Sequence, residues 1–204
     1  MTDINTLMAM APVIPVLVVD DVAHARPLAQ ALVAGGLPVL EVTLRTPAAL
    51  AVIAEMATVP GAIVGAGTVL SASDLAAALA AGARFAVSPG ITAALGSAAR
   101  VSGVPFLPGA ASASDIIRAF ELGFTRVKFF PAVAAGGLPM LRALAAPFAG
   151  VKFCPTGGIT ADTAAEWLAE PAVACVGGTW IARRGETDWA AIEARARAAA
   201  GLRA

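Results

Sequence analysis

Short apolar, β-branched runs alternate with Ala-rich stretches of helical period along nearly the whole chain. Strands are predicted at residues 13–19, 38–44, 63–69, 84–88, 105–108, 126–130, 151–155 and 172–176. Residues able to cap a helix follow these runs: Asp20 or Asp21, Thr46-Pro47, Ser71 to Asp74, Thr92, Ser112 to Asp115, Thr160 to Asp162, and Asp188. Gly35-Gly36, Gly82, Gly103, Gly123 and Gly150 fall near the helix ends, where a left-handed cap favours glycine. Eight β-then-α units without a long linker predict one α/β domain over residues 1–204, a (β/α)8 TIM barrel with a short N-terminal helix at residues 3–11. An open flavodoxin-like sheet would need fewer strands.

Composition narrows the possible functions. With 58% hydrophobic and 14% charged residues and a mean hydropathy of +0.80, the chain has core to spare and no signature of disorder. Its longest uncharged stretch, Met56 to Ser73, is broken by Pro60, Gly61, Gly65 and Gly67, which argues against a membrane span. Asp3 stands where a signal peptide would carry basic residues, so a cytoplasmic location is expected. A formal charge of +0 without a basic cluster points away from nucleic acid and from acidic membranes. His24 is the single histidine and Cys154 and Cys175 lack C-x-x-C spacing, so a metal site is not expected.

The candidate chemistry starts at Lys128, one of two lysines, set in the apolar run Val127-Lys128-Phe129-Phe130-Pro131. Burying an ammonium is costly unless it is paired, whereas an amine in a pocket can attack a ketone to form a Schiff base. The structural alternative is a lysine whose stem packs while its head reaches the strand end. Lys128 and Phe130 share one side of their strand, and Glu41, Thr43 and Arg45 share one side of theirs, opposite Leu40, Val42 and Leu44. If the polar sides face inward, Glu41 is placed as a proton carrier beside the amine, or as a counter-ion that merely neutralises it. Arg45, nearer the strand end, is suited to gripping a substrate carboxylate in a bidentate manner.

Gly65-Ala66-Gly67-Thr68 lets a ligand approach the backbone and offers the Thr68 hydroxyl at the mouth. Ser88-Pro89-Gly90 and Pro108-Gly109 read as turns that also shape a pocket. The loops Pro155-Thr156-Gly157-Gly158 and Gly177-Gly178-Thr179-Trp180 follow strands seven and eight, where barrel phosphate sites are commonly built ahead of a helix N-terminus. Lys152 opens strand seven and is expected at the closed end, away from the chemistry.

Together these segments resemble the 2-keto-3-deoxy-6-phosphogluconate (KDPG) and 4-hydroxy-2-oxoglutarate aldolase family, from Val13-Ile14-Pro15-Val16 through Glu41-Val42-Thr43-Leu44-Arg45-Thr46 to Gly177-Gly178-Thr179-Trp180. The resemblance implies a class I aldolase of the Entner-Doudoroff pathway, without cofactor or metal, in a homotrimer. By the family pattern Lys128 forms the Schiff base, Glu41 handles protons, Arg45 and Thr68 hold the pyruvyl carboxylate, and Pro89 and Phe130 line the pocket. Thr156, Gly157, Gly158, Gly178 and Thr179 would hold the distal end and its phosphate. Thr179, where the family often has serine, and Gly109-Ala110-Ala111 depart from the pattern and bear on substrate preference.

Two other classes share part of this pattern. A phosphosugar isomerase or epimerase would keep the glycine loops without needing the amine, and a phosphometabolite-binding barrel would bind without releasing pyruvate. A metal-dependent class II aldolase is disfavoured by the lone histidine.

Overall fold

The computed structural model describes residues 3–203. The elements run α1 (Ile4–Met10), β1 (Val13–Leu17), α2 (Ala25–Ala34), β2 (Val39–Thr43), α3 (Ala49–Met56), β3 (Ile63–Gly67), α4 (Ala72–Ala80), β4 (Ala86–Val87) and α5 (Ala93–Ser102). They continue with β5 (Phe106–Leu107), β6 (Gly109–Ala110), α6 (Ala113–Glu121), β7 (Arg126–Phe129), α7 (Gly137–Ala145), β8 (Lys152–Pro155), α8 (Ala161–Leu168), β9 (Val176–Gly178) and α9 (Trp189–Ala200). Most expected caps are in place: Ser71, Thr92 and Asp188 accept from backbone N–H groups, and Ser112 and Thr160 form capping boxes. Thr46 does not cap α3, because its hydroxyl donates to the Val19 carbonyl instead.

The expected closed eight-stranded TIM barrel is not what forms. The strands make two parallel sheets, one of six in the order β5-β4-β3-β2-β1-β9 and one of three, β6-β7-β8. Prolines interrupt both seams. At one seam Pro108, which has no N–H to donate, separates β5 from β6, so the strand expected at 105–108 ends early and a ninth strand pairs with β7 instead. At the other, Phe153 donates to Ala172 and Ala174 donates to Phe153, but the next donor in that ladder would be Pro155. Only the isolated bridges Phe153↔Val173 and Thr156↔Gly177 join β8 to the last strand, whose continuous pairing with β1 covers Val176–Gly178, further along the chain than the expected 172–176.

Alternation along the strands separates two cores. Val13, Leu17, Leu40, Val42, Val64, Ala66, Ala86, Phe106, Val127, Phe129, Phe153 and Val176 pack against the helices. Ile14, Val39, Phe85, Val87, Leu107, Cys154 and Cys175 pack against one another on the opposite faces. Leu7 and Met8 of α1, each 1% exposed, belong to this inner core and seal it at the N-terminal ends of the strands. Lys128, on β7, and Glu41, on β2, lie in different sheets yet touch, so the sheets curl to face each other around this interior.

Candidate active site

Lys128 stands in the middle of the three-stranded sheet, opposite Gly109 on one side and Cys154 on the other. Glu41 sits in β2 between Val16 and Gly65. Both point inward as their strand parity predicts, and Nζ donates to Oε1 at 2.8 Å and to Oε2 at 3.2 Å. The two side chains are 7% and 4% exposed. Such a pair adds little net stability, because desolvating both charges offsets most of their attraction. It does hold an amine and a proton acceptor at reacting distance out of water, which is what Schiff-base chemistry requires.

Three glycines shape the surroundings of the pair, though not as the sequence suggested. An added Cβ on Gly65 would lie 2.5 Å from the Phe85 ring, and one on Gly67 would lie 2.3 Å from Glu41 Oε1. The space at both positions is taken by the protein's own side chains, not left for a ligand. Gly109 allows the Pro89 carbonyl to pass, since a Cβ there would meet it at 2.1 Å. That contact places the Ser88-Pro89-Gly90 turn beside the strand neighbour of Lys128.

Above the pair, the Phe130 ring centroid lies 5.6 Å from Lys128 Nζ. Arg45, exposed just beyond β2, donates through Nε to Thr68 Oγ1 at 3.3 Å. Thr68 is the one described non-glycine residue with positive φ, at 60°. The turn it makes past the end of β3 brings its hydroxyl to the arginine.

Thr156 is buried; its hydroxyl donates to the Cys154 carbonyl at 3.4 Å and occupies the space a side chain on Gly177 would need. Gly157 and Gly158 follow at φ +102° and +82°. The carbonyls of Thr156 and Gly157 accept from the N–H groups of Ala132 and Val133 at 2.8 and 3.0 Å. Because C=O and N–H of a trans peptide point in opposite directions, the N–H groups of Gly157 and Gly158 face away from that loop. α8 begins directly after, capped by Thr160. The second loop differs from expectation: Gly178 ends β9 with the Trp180 ring packed where its side chain would be, Thr179 is exposed, and no helix begins until Trp189.

Lys152 is far from this end. Its Nζ donates to the Pro171 carbonyl at 2.6 Å, and it lines a surface depression with Asn5, Met8 and Arg126. A cavity of about 330 Å³, lined in part by Leu7, Ile63, Arg84 and Val104, also opens at the N-terminal end of the strands. Cavity size therefore does not single out the end of the strands that carries the Lys128–Glu41 pair. Sequence reading missed Phe85 as the residue filling Gly65 and missed the Ala132-Val133 contact with the glycine loop. The residue pattern carried no signal for either.

The family model for KDPG and KHG aldolases matches residues 4–195. This chain belongs to the KDPG and KHG aldolase family. It is 53% identical over 203 residues to the 2-dehydro-3-deoxy-phosphogluconate aldolase of Zymomonas mobilis, covering 100% of this chain and 98% of the relative. It is 48% identical over 181 residues to the KHG/KDPG aldolase of Escherichia coli, covering 88% and 85%. A crystal structure of the Zymomonas mobilis aldolase with 3-phosphoglycerate superposes with a TM-score of 0.97, covering 99% of this chain and 97% of the other. The Legionella pneumophila KDPG aldolase, 45% identical with a TM-score of 0.95 over 98% and 99% of the two chains, holds pyruvate captured as a covalent carbinolamine.

Proposed function

We propose that this chain, as one aldolase domain, cleaves 2-keto-3-deoxy-6-phosphogluconate to pyruvate and glyceraldehyde 3-phosphate through a Schiff base on Lys128. The observation that carries this reading is the enclosed contact between Lys128 Nζ and the Glu41 carboxylate at 2.8 Å. The related Legionella pneumophila enzyme's carbinolamine with pyruvate supports it.

Lys128 first passes a proton to Glu41, the free amine adds to the keto carbon, and the carbinolamine takes that proton on its hydroxyl and loses water to give an iminium. Glu41 accepts the proton of the hydroxyl on the second carbon from the iminium carbon, the bond between that carbon and the intervening CH2 breaks, and the aldehyde leaves. The electron pair stays as an enamine. Glu41 returns a proton to its terminal carbon, and water hydrolyses the imine to pyruvate. Arg45 and Thr68 hold the carboxylate, and Phe130 and Pro89 flank the chain of the substrate. Thr156, Gly157, Gly158, Gly178 and Thr179 receive the distal end and phosphate, the outward N–H groups of Gly157 and Gly158 providing donors.

Cleavage of 4-hydroxy-2-oxoglutarate is a second proposed activity, supported by the name of the Escherichia coli relative. A cytoplasmic homotrimer is the proposed state, on the family resemblance; light scattering at three times the chain mass tests the assembly.

Borohydride added with pyruvate should leave a stable mass increment on the peptide containing Lys128. No adduct, or one on Lys152, would defeat the reading.

A further inference from the structure

Gly67 lies opposite Thr43 in the β2–β3 ladder, and its carbonyl accepts from the Leu44 N–H at 2.8 Å. Its backbone is therefore pinned on the side facing β2. A Cβ built on it would meet three atoms of a single side chain: Glu41 Oε1 at 2.3 Å, Cγ at 2.7 Å and Cδ at 2.8 Å. Its φ is not in the left-handed region, so the backbone does not demand glycine there. The absence of a side chain serves the Glu41 carboxylate.

We propose that Gly67 is a positioning residue for proton transfer: the gap above its Cα is the slot that holds the Glu41 carboxylate against Lys128. The inference rests on the reading of Glu41 as the proton carrier. On one side the carboxylate meets the ammonium, and on the other it fills the space above the Gly67 Cα, whose backbone is held in the ladder. Filling the slot pushes the flexible end of Glu41 and leaves the ladder intact. Gly67→Ala should then misplace the carboxylate by about an ångström in a protein that still folds, a displacement able to cost about a hundredfold in rate.

The readout is exchange of the pyruvate methyl protons with heavy water, followed by NMR. In that exchange the Lys128 iminium of pyruvate gives a methyl proton to the carboxylate and becomes an enamine. The carboxyl trades its proton with solvent and returns a deuteron to the same carbon. Rates are divided by the number of sites that borohydride and pyruvate can trap on long incubation. For Gly67→Ala the trapped titre should match that of the unmutated enzyme, while exchange per trapped site falls about a hundredfold. Exchange per site within threefold of the unmutated enzyme, or a lost or reduced titre, would overturn the proposal. Failure of the unmutated enzyme to trap pyruvate would instead sink the aldolase reading itself.

Discussion

Lys128 and Glu41 are separated by 87 positions in sequence and by 2.8 Å in space, joined across the interior from two different sheets. Removing one partner strands a buried charge, which typically costs about 3–5 kcal/mol. Lys128→Met should abolish pyruvate release and lower the urea midpoint, and the second change Glu41→Gln should restore much of that stability but no activity. Equal midpoints for the single and double variants would show that the stranded carboxylate is not what destabilises.

Arg45 offers a planar fork already tethered to Thr68 Oγ1. Arg45→Lys keeps the charge but loses the paired geometry that a carboxylate prefers. The expected result is a KM raised about tenfold, equivalent to about 1.4 kcal/mol of binding, with kcat little changed. A fall in kcat at constant KM would assign Arg45 to the chemical step instead.

Gly157 has φ +102° and sits 3.4 Å, at the Cβ position, from the Phe130 ring. Gly157→Ala must hold an L residue in the left-handed region at a cost of about 1–2 kcal/mol or turn its peptide away. Steady-state kinetics should show KM rising more for the phosphorylated substrate than for 4-hydroxy-2-oxoglutarate, which has no phosphate for the loop to receive. Equal effects on both would remove the loop from phosphate recognition.

Acid should weaken the fold through three carboxylates. Hydrogen bonds from Arg195, Arg184 and Arg142 respectively hold Glu186, Asp20 and Glu170 below the usual carboxylate range. Since their folded values are depressed, their stabilisation is fully present above the unfolded values near about 4 and is lost as pH falls through the folded ones. Thermal melts should therefore drop as pH falls below about 5, and Arg195→Met should flatten that slope. An unchanged slope would assign the acid sensitivity to other groups.

The Lys128–Glu41 contact was readable because parity is strict: in an α/β chain every second strand residue faces the same way, and polar residues at Glu41, Thr43 and Lys128 could not all be facing helices. The helix caps were readable for a similar local reason. What pattern reading misjudged was closure. Pro108 and Pro155 were visible in the sequence, but a missing N–H matters only once the neighbouring strand and register are known. The floor of the pocket was hidden for the same reason, since the fit of Phe85 over Gly65 joins different strands and leaves no periodic trace.

Leu7 and Met8 stopper the interior from below, so on the proposed reading reactants would come to Lys128 from the C-terminal ends of the strands. On the proposed Schiff-base reading, the pyruvyl fragment stays bonded to the amine when the aldehyde is released. The aldehyde must depart before pyruvate, and in the synthetic direction pyruvate must be seated before the aldehyde arrives. Product inhibition should be ordered accordingly: pyruvate competes with the six-carbon substrate, while glyceraldehyde 3-phosphate inhibits noncompetitively. The covalent bond fixes that order, and a helix of seven residues at the start of the chain closes the other end of the interior.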